Sequence, residues 1–305
     1  HRLHMILYHY PMSPFSEKCR LMLGFAGQSW LSLPCPEMPP RPGLDALAGG
    51  YRRIPVAQFG ADIFCDSRLI SDEIASLTGR TSLHATGRDE ETAAYATYLE
   101  GEVFWASVLS IPPTTIIRRL WSTIGLRKTL RFLSDRAGIG KTARVDAPSG
   151  KVAAERFTRY LDDLATRLQS DFLGGNSPTY IDFCAYHPLW FKLSVAQQMA
   201  DTVPPAVEAW YQRMGAFGHG QRSEITIDDA FATARECEPR SVPEAERVDP
   251  RIGSPVTVAP DDYALDAVSG TLAGLSATRI IVARETEEFG RLHVHFPRSG
   301  FEITG

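Results

Sequence analysis

The sequence is short of several things, and each absence removes a class of protein. Its five cysteines, at 19, 35, 65, 184 and 237, are odd in number and widely spaced, with no CxxC pair. That argues against a disulfide framework or a cysteine zinc site and favours a reducing cytoplasm. No apolar run approaches the roughly 20 residues that span a bilayer, so no membrane partner is expected. The residues ahead of Met5 show no apolar signal segment and are expected to lie outside the fold. There is no block of like charge: a net charge of -4 and a pI near 6.1 give no footprint for nucleic acid or an anionic surface. Internal repeats and low-complexity segments are absent as well.

What is present suits a protein of two or three domains: 305 residues, 44% hydrophobic and 22% charged. Residues 5–10 are β-branched and aromatic and predict a strand, closed by Pro11. Ser13-Pro14 opens a helical run that Gly27 ends. Trp30–Leu33 reads as a second strand, and the Pro- and Gly-rich stretch 34–50 as an irregular loop. Ile54–Phe59 and Asp62–Cys65 predict a hairpin around Gly60-Ala61. A helix from Asp66-Ser67 to Gly79 follows. The order is βαβ then ββα, the size of a thioredoxin-like domain over residues 5–80.

From 88 to 237 the period becomes helical, with Tyr95, Leu99, Val103 and Ala106 on one face and Phe157, Leu161, Leu164 and Leu168 on another. No strand alternation interrupts it, and 138–150 reads as a surface loop. Thr179-Tyr180-Ile181-Asp182 is a capping box in which Asp182 is expected to accept from the Thr179 N–H. A polar linker with Pro239, Pro243 and Pro250 precedes a small β-rich module at 248–305. Its runs at 256–258, 270–275, 279–283 and 291–296 suggest a barrel or curled sheet. The expected fold is therefore an α/β thioredoxin-like domain, an all-α bundle, and a small, mostly-β C-terminal module.

The chemistry concentrates at Ser13. Proline favours the first helical position, which makes Ser13 the N-cap. The N–H groups of Phe15 and Ser16 and the positive end of the helix dipole would favour an anion such as a thiolate there. The bland reading is a simple cap. Pro55 at a strand start could be cis and turn the Ile54 backbone outward, or be an ordinary edge proline. Ser67 and the early N–H groups of its helix could bind a carboxylate, or merely cap. His293 and His295 share one strand face. Two histidines can ligate a metal, but with no third ligand evident a surface pair is expected and no metal is assigned. Cys19, well inside the first helix, is expected to be buried and inert.

Taken in order, residues 7–20 (Leu-Tyr-His-Tyr-Pro-Met-Ser-Pro-Phe-Ser-Glu-Lys-Cys-Arg), Ile54-Pro55 and Asp66-Ser67 resemble the N-terminal half of the cytosolic glutathione transferases. The resemblance is detailed over 5–79 and looser through the helical region. It implies that Ser13 activates the sulfur of glutathione, with Tyr10 and then Tyr8 as rivals. It implies that Phe15 packs near the ligand, that Ile54 beside Pro55 pairs with the cysteinyl backbone, and that Asp66 and Ser67 hold the γ-glutamyl end. Arg53 would reach the glycyl carboxylate. Serine where redox classes carry cysteine disfavours disulfide reduction. Phe104, Trp105 and Trp121 are candidates for an electrophile pocket, with Arg118 and Arg119 available to an acidic substrate. The expected partners are glutathione and a small electrophile, with a homodimer and a role in detoxification. A non-catalytic binding protein and a glutathione-dependent isomerase or ether-cleaving enzyme remain open.

Overall fold

A computed structural model describes residues 3–142, 148–198, 203–262 and 266–305. The first strand, β1 (Ile6–His9), leads through Ser13 into α1 (Pro14–Phe25), then β2 (Ser29–Pro34), α2 (Pro42–Ala48), β3 (Val56–Phe59), β4 (Asp62–Cys65) and α3 (Ser67–Thr78). The stretch read as a loop thus contains α2, which begins at a proline and closes on Gly49 in the left-handed region. Ile54–Pro55 is cis.

The helical region holds α4 (Glu90–Tyr98), a wider turn at Leu99–Val103, α5 (Phe104–Leu109), α6 (Pro113–Ile124), α7 (Leu126–Thr142), α8 (Gly150–Arg167), α9 (Tyr180–Trp190), α10 (Pro205–Gly215) and α11 (Ile227–Glu236). Two expectations need correcting. Helix α7 runs to Thr142, so 138–142 are helical; 143–147 lie outside the described residues. A strand, β5 (Gln221–Glu224), interrupts the helices and pairs parallel to β2. All four of its residues are exposed and polar, so it carries no alternation to read. The capping box is as expected: Asp182 accepts from the Thr179 N–H at 2.9 Å, and also from the Trp210 indole at 2.9 Å.

The C-terminal strands are β6 (Pro255–Pro260), β7 (Val268–Leu275), β8 (Arg279–Thr286), β9 (Gly290–Pro297) and β10 (Phe301–Thr304). They form an open sheet and not a barrel. More consequentially, β9 pairs parallel to β4, so one sheet of ten strands runs β10-β6-β7-β8-β9-β4-β3-β1-β2-β5. Side chains alternate across it. Leu7, Ala57 and Phe64 face α1, α3 and the helical region, while Ile6, Tyr8, Val56, Ile63, Val294 and Phe296 join Leu44, Leu47 and Ala230 in a second core.

Buried polar networks tie the parts together. Lys18 of α1 is wholly buried, and its Nζ donates to Glu100 Oε1 at 2.8 Å; Tyr180 and Cys184 of α9 donate to the same oxygen. Burial opposes the Lys18 charge, but Glu100 and the neighbouring thiols outweigh it and hold its pKa above the ordinary value. Burial likewise opposes the Glu100 charge, yet Lys18 and Arg68 hold that carboxyl at about 2. Glycine at 24 is required by close approach: a Cβ there would stand 1.8 Å from the Gly218 carbonyl oxygen.

Candidate active site

Strand pairing gathers the three segments of interest at one end of the sheet. Tyr8 lies opposite Val56, and Val56 opposite Cys65. The exit of β1 toward Ser13, the entry to β3 at Ile54-Pro55 and the exit of β4 at Asp66-Ser67 therefore share an edge. Ser13 is distant in sequence from the other two, which are the two ends of the β3–β4 hairpin.

Ser13 is the N-cap of α1, and only 2% of its surface is exposed. Its Oγ accepts from the Ser16 N–H at 3.2 Å and from the Ser16 hydroxyl at 2.7 Å. Both contacts use Ser13 as acceptor, so its own proton remains to be donated. The Ser16 N–H is thereby occupied, which corrects the expectation that it would face a ligand. The Phe15 N–H, in the first helical turn, has no intrahelical acceptor. Behind the loop, buried Arg20 donates to the carbonyls of Tyr10 at 3.0 Å and Pro11 at 3.1 Å, and pairs with Glu17 at 2.9 Å. Arg20 also donates to His9 Nδ1 at 2.8 Å, so the proton of His9 sits on Nε2 and is given to Ser32 Oγ at 2.6 Å. Burial first, and Arg20 next, push the His9 pKa down to about 3.

The two tyrosines separate. Tyr8 is fully buried in the second core, donates to Gln58 Oε1 at 2.6 Å, and has its pKa raised by burial. It faces away from Ser13 and is not available to a ligand there. Tyr10 lies beyond the end of β1 and is half-buried.

Asp66 has φ +81°, in the left-handed region that a non-glycine residue rarely adopts. Strained backbone of this kind clusters at ligand clamps. Its carboxylate is not empty: Arg68 donates from its backbone at 2.8 Å and from Nε at 3.0 Å to Oδ1, and from Nη2 at 3.2 Å to Oδ2. Ser67 is buried at the start of α3, and its carbonyl accepts from Ser71 Oγ at 2.6 Å. Arg53 pairs with Asp262, 209 residues later. Sequence reasoning missed both Arg68 and Asp262. Arg68 follows Asp66 by two residues and could have been suspected; Asp262 carries no local signal.

Of the pocket candidates, Phe104 lies 4.7 Å from Phe15, ring centre to ring centre, and Trp105 lies 5.3 Å from Phe104. His187, unmarked in the sequence reading, also lies 4.7 Å from Phe15; burial holds its pKa at about 3, so it is neutral. Trp121 is 55% exposed and lines a separate groove of about 390 Å³ with Thr114, Ile117, Arg118 and Ser122. Arg119 donates to the Val195 carbonyl at 2.8 Å. Cys19 is fully buried, as expected, and its thiol is pushed up to about 12 by burial.

The histidine pair differs from expectation. His293 and His295 are 6% and 3% exposed, and Asp62 brings a third donor, all within 4.8 Å of one another. Asp62 and His295 are committed to hydrogen bonding, whereas His293 Nδ1 is buried without a hydrogen-bond partner. Arg279 Nη1 stands 3.3 Å from His295 Nδ1, and a guanidinium only donates. Nε2 therefore carries the proton that His295 gives to Asp62 at 2.7 Å. Asp62 also accepts from the Arg240 N–H at 2.9 Å, and Glu73 pairs with Arg240 at 3.0 Å and Arg279 at 2.9 Å. This network pins β9 to β4 and α3.

Comparison with known proteins agrees with this architecture. Residues 7–82 match the family described as glutathione S-transferase, N-terminal domain. A GST-like protein from Pseudomonas syringae is 30% identical, with a TM-score of 0.79 over 99% of this chain and 98% of its own. The chain belongs to the glutathione transferase family. The match to that protein takes in the C-terminal strands. A glutathione S-transferase from Sinorhizobium meliloti is 19% identical over 70% of this chain and 88% of its own, with a TM-score of 0.48. A family member from Pseudomonas fluorescens, whose structure holds two glutathione molecules, is 14% identical over 70% and 88%, also with a TM-score of 0.48. No curated protein matches the chain. No described helix is long and apolar enough to cross a membrane.

Proposed function

We propose that this family member binds glutathione at the edge shared by Ser13, Ile54-Pro55 and Asp66-Ser67, and adds its sulfur to a small electrophile. The observation that carries this reading is the state of Ser13. Its oxygen is held by Ser16 and its proton is uncommitted, at the positive end of α1. A thiol placed there gives its proton to solvent. The thiolate is stabilised by the Ser13 hydroxyl and the helix terminus; its lone pair forms the new carbon–sulfur bond as the electrophile's leaving group (chloride, for a chloro-aromatic) departs with the electrons of the bond it breaks. Phe15, Phe104 and Trp105 form the apolar side on which the electrophile would rest, with Tyr10 as the alternative hydroxyl. A homodimer, a cytoplasmic location and a role in detoxification belong to the same proposal.

Ser13→Ala is expected to lower turnover of glutathione with a chloro-dinitroaromatic electrophile by roughly ten- to a thousandfold, the loss of one hydrogen bond to a charged group. Unchanged turnover would overturn the assignment to Ser13. A second reading, binding without catalysis, is favoured by one observation: Asp66 and Arg53 are already engaged by Arg68 and Asp262. Calorimetric binding of glutathione with no lowering of its thiol pKa, followed by thiolate absorbance, would select that reading.

A further inference from the structure

The C-terminal strands reach the proposed glutathione site. Strand β9 runs parallel to β4, with Asp62 opposite His293 and Phe64 opposite His295, so it ends at Pro297 beside the β4 exit into Asp66. The turn after it places the Ser299 carbonyl 3.0 Å from Arg68 Nη2, on the arginine that holds Asp66. Strand β6 ends at the same edge, where the Asp261 N–H donates to the Gly300 carbonyl at 3.0 Å. The next residue, Asp262, forms the ion pair with Arg53.

Arg53 immediately precedes Ile54, the residue read as pairing with the cysteinyl backbone. The group opposed to it is a carboxylate supplied by the protein itself. We propose that Asp262 is a specificity-determining residue that occupies the place of the ligand's C-terminal carboxylate, so that the site selects a γ-glutamyl-cysteinyl thiol whose third residue carries no free carboxylate. This rests on the glutathione reading of the site.

A guanidinium can hold two carboxylates, but the second meets a charge already matched and the repulsion of the first. The neighbouring cation offers no substitute, because Arg52 is paired at 2.6 Å with Asp135 of α7. An amide at the same position accepts and donates hydrogen bonds without that repulsion. Asp262 retains 39% of its side-chain exposure, so it stands at the rim and its replacement removes a charge without opening the core.

Calorimetry with glutathione and with its glycyl amide tests this on the unaltered protein and on Asp262→Asn. The unaltered protein is expected to bind the amide about tenfold more tightly than the acid, the order of effect of one close like-charge contact. Asp262→Asn is expected to tighten glutathione about tenfold and change the amide less than twofold. Adding Arg53→Met to that variant is expected to abolish the gain. Equal affinity of the unaltered protein for acid and amide overturns the proposal without any variant, as does an Asp262→Asn effect that is the same for both ligands. If no form binds either ligand, the glutathione reading itself falls and this inference with it; if both bind and Asp262→Asn changes nothing, only the inference falls.

Discussion

The β1–β4 region meets its two neighbours in different ways. Toward the helical region the contact is side chain on side chain: α1 against α9, with Lys18, Glu100, Tyr180 and Cys184 sharing one buried polar cluster. Toward the C-terminal strands the contact is backbone ladder first, β4 on β9, with Asp62 and His295 fastened across it. The ladder sets register by hydrogen bonds that any residue can make, and the side chains only confirm it. Apart from the short exposed ladder of β5 on β2, the helical seam has no such template, so the fit of α1 on α9 leans on one lysine finding one glutamate. That seam should therefore be the more sensitive to a single substitution, and the strand seam to loss of the whole element.

The largest effect should come from stopping the chain after residue 253. This leaves the β4 edge unpaired and uncovers the core shared by Val56, Ile63 and Val294. The expected outcome is an aggregating protein with little soluble yield, measured by fractionation and circular dichroism. A soluble, cooperatively melting fragment would show that the strand seam is an accessory.

A smaller effect is expected from Glu100→Ala, which strands the Lys18 ammonium in a dry site. Loss of about 3–5 kcal/mol in urea unfolding is the expectation, with partial recovery when Lys18→Met is added. No recovery in the double variant would mean that the cluster acts through packing and not charge.

The smallest effects are those of single substitutions on the pH dependence, where His295→Gln and Glu100→Gln report on different seams. His295 of the strand seam is buried and neutral, its pKa pushed from 6.5 to about 4, first by burial. The unfolded chain takes the proton first, so stability is whole above pH 6.5 and declines as pH falls toward about 4. His9 and His187, both lowered to about 3, add to the same arm. Glu100 is depressed from 4.5 to about 2, so its contribution persists above pH 4.5 and is lost between there and about 2. Melting temperature against pH should fall through two overlapping arms, each group contributing at most about 1.4 kcal/mol per pH unit. Glu100→Gln should flatten the lower arm, and His295→Gln should soften the upper one.

How much of this was legible in the sequence follows the same division. The α1 cap, the β3–β4 hairpin and the Asp182 box were readable because their partners are close in the chain. The cis bond at Pro55 needed the fold to decide it. Helix α2 was hidden by the prolines and glycines that frame it, and β5 by its wholly polar composition. The continuity of the sheet was unreadable, because parallel pairing leaves no turn between partners. For the same reason the candidate site was legible only in part: Ser13, Ile54 and Asp66 stand next to local signals, whereas Asp262 reaches Arg53 from another strand pair. The histidines were misplaced on the surface because period-2 alternation says which residues share a face and not what covers that face.

The parallel junction of β4 with β9 also orders events during synthesis. Strand β4 leaves the ribosome at Asp62–Cys65, and its partner at Gly290–Pro297 follows roughly 225 residues later. At ribosomal rates of about 5–20 residues per second, β4 waits on the order of ten seconds or more with one edge open. During that interval the helical region can already be docked on the opposite face of the sheet through Lys18. The nascent chain thus passes through a stage in which the segments of the proposed glutathione site are assembled but Asp262 has not arrived.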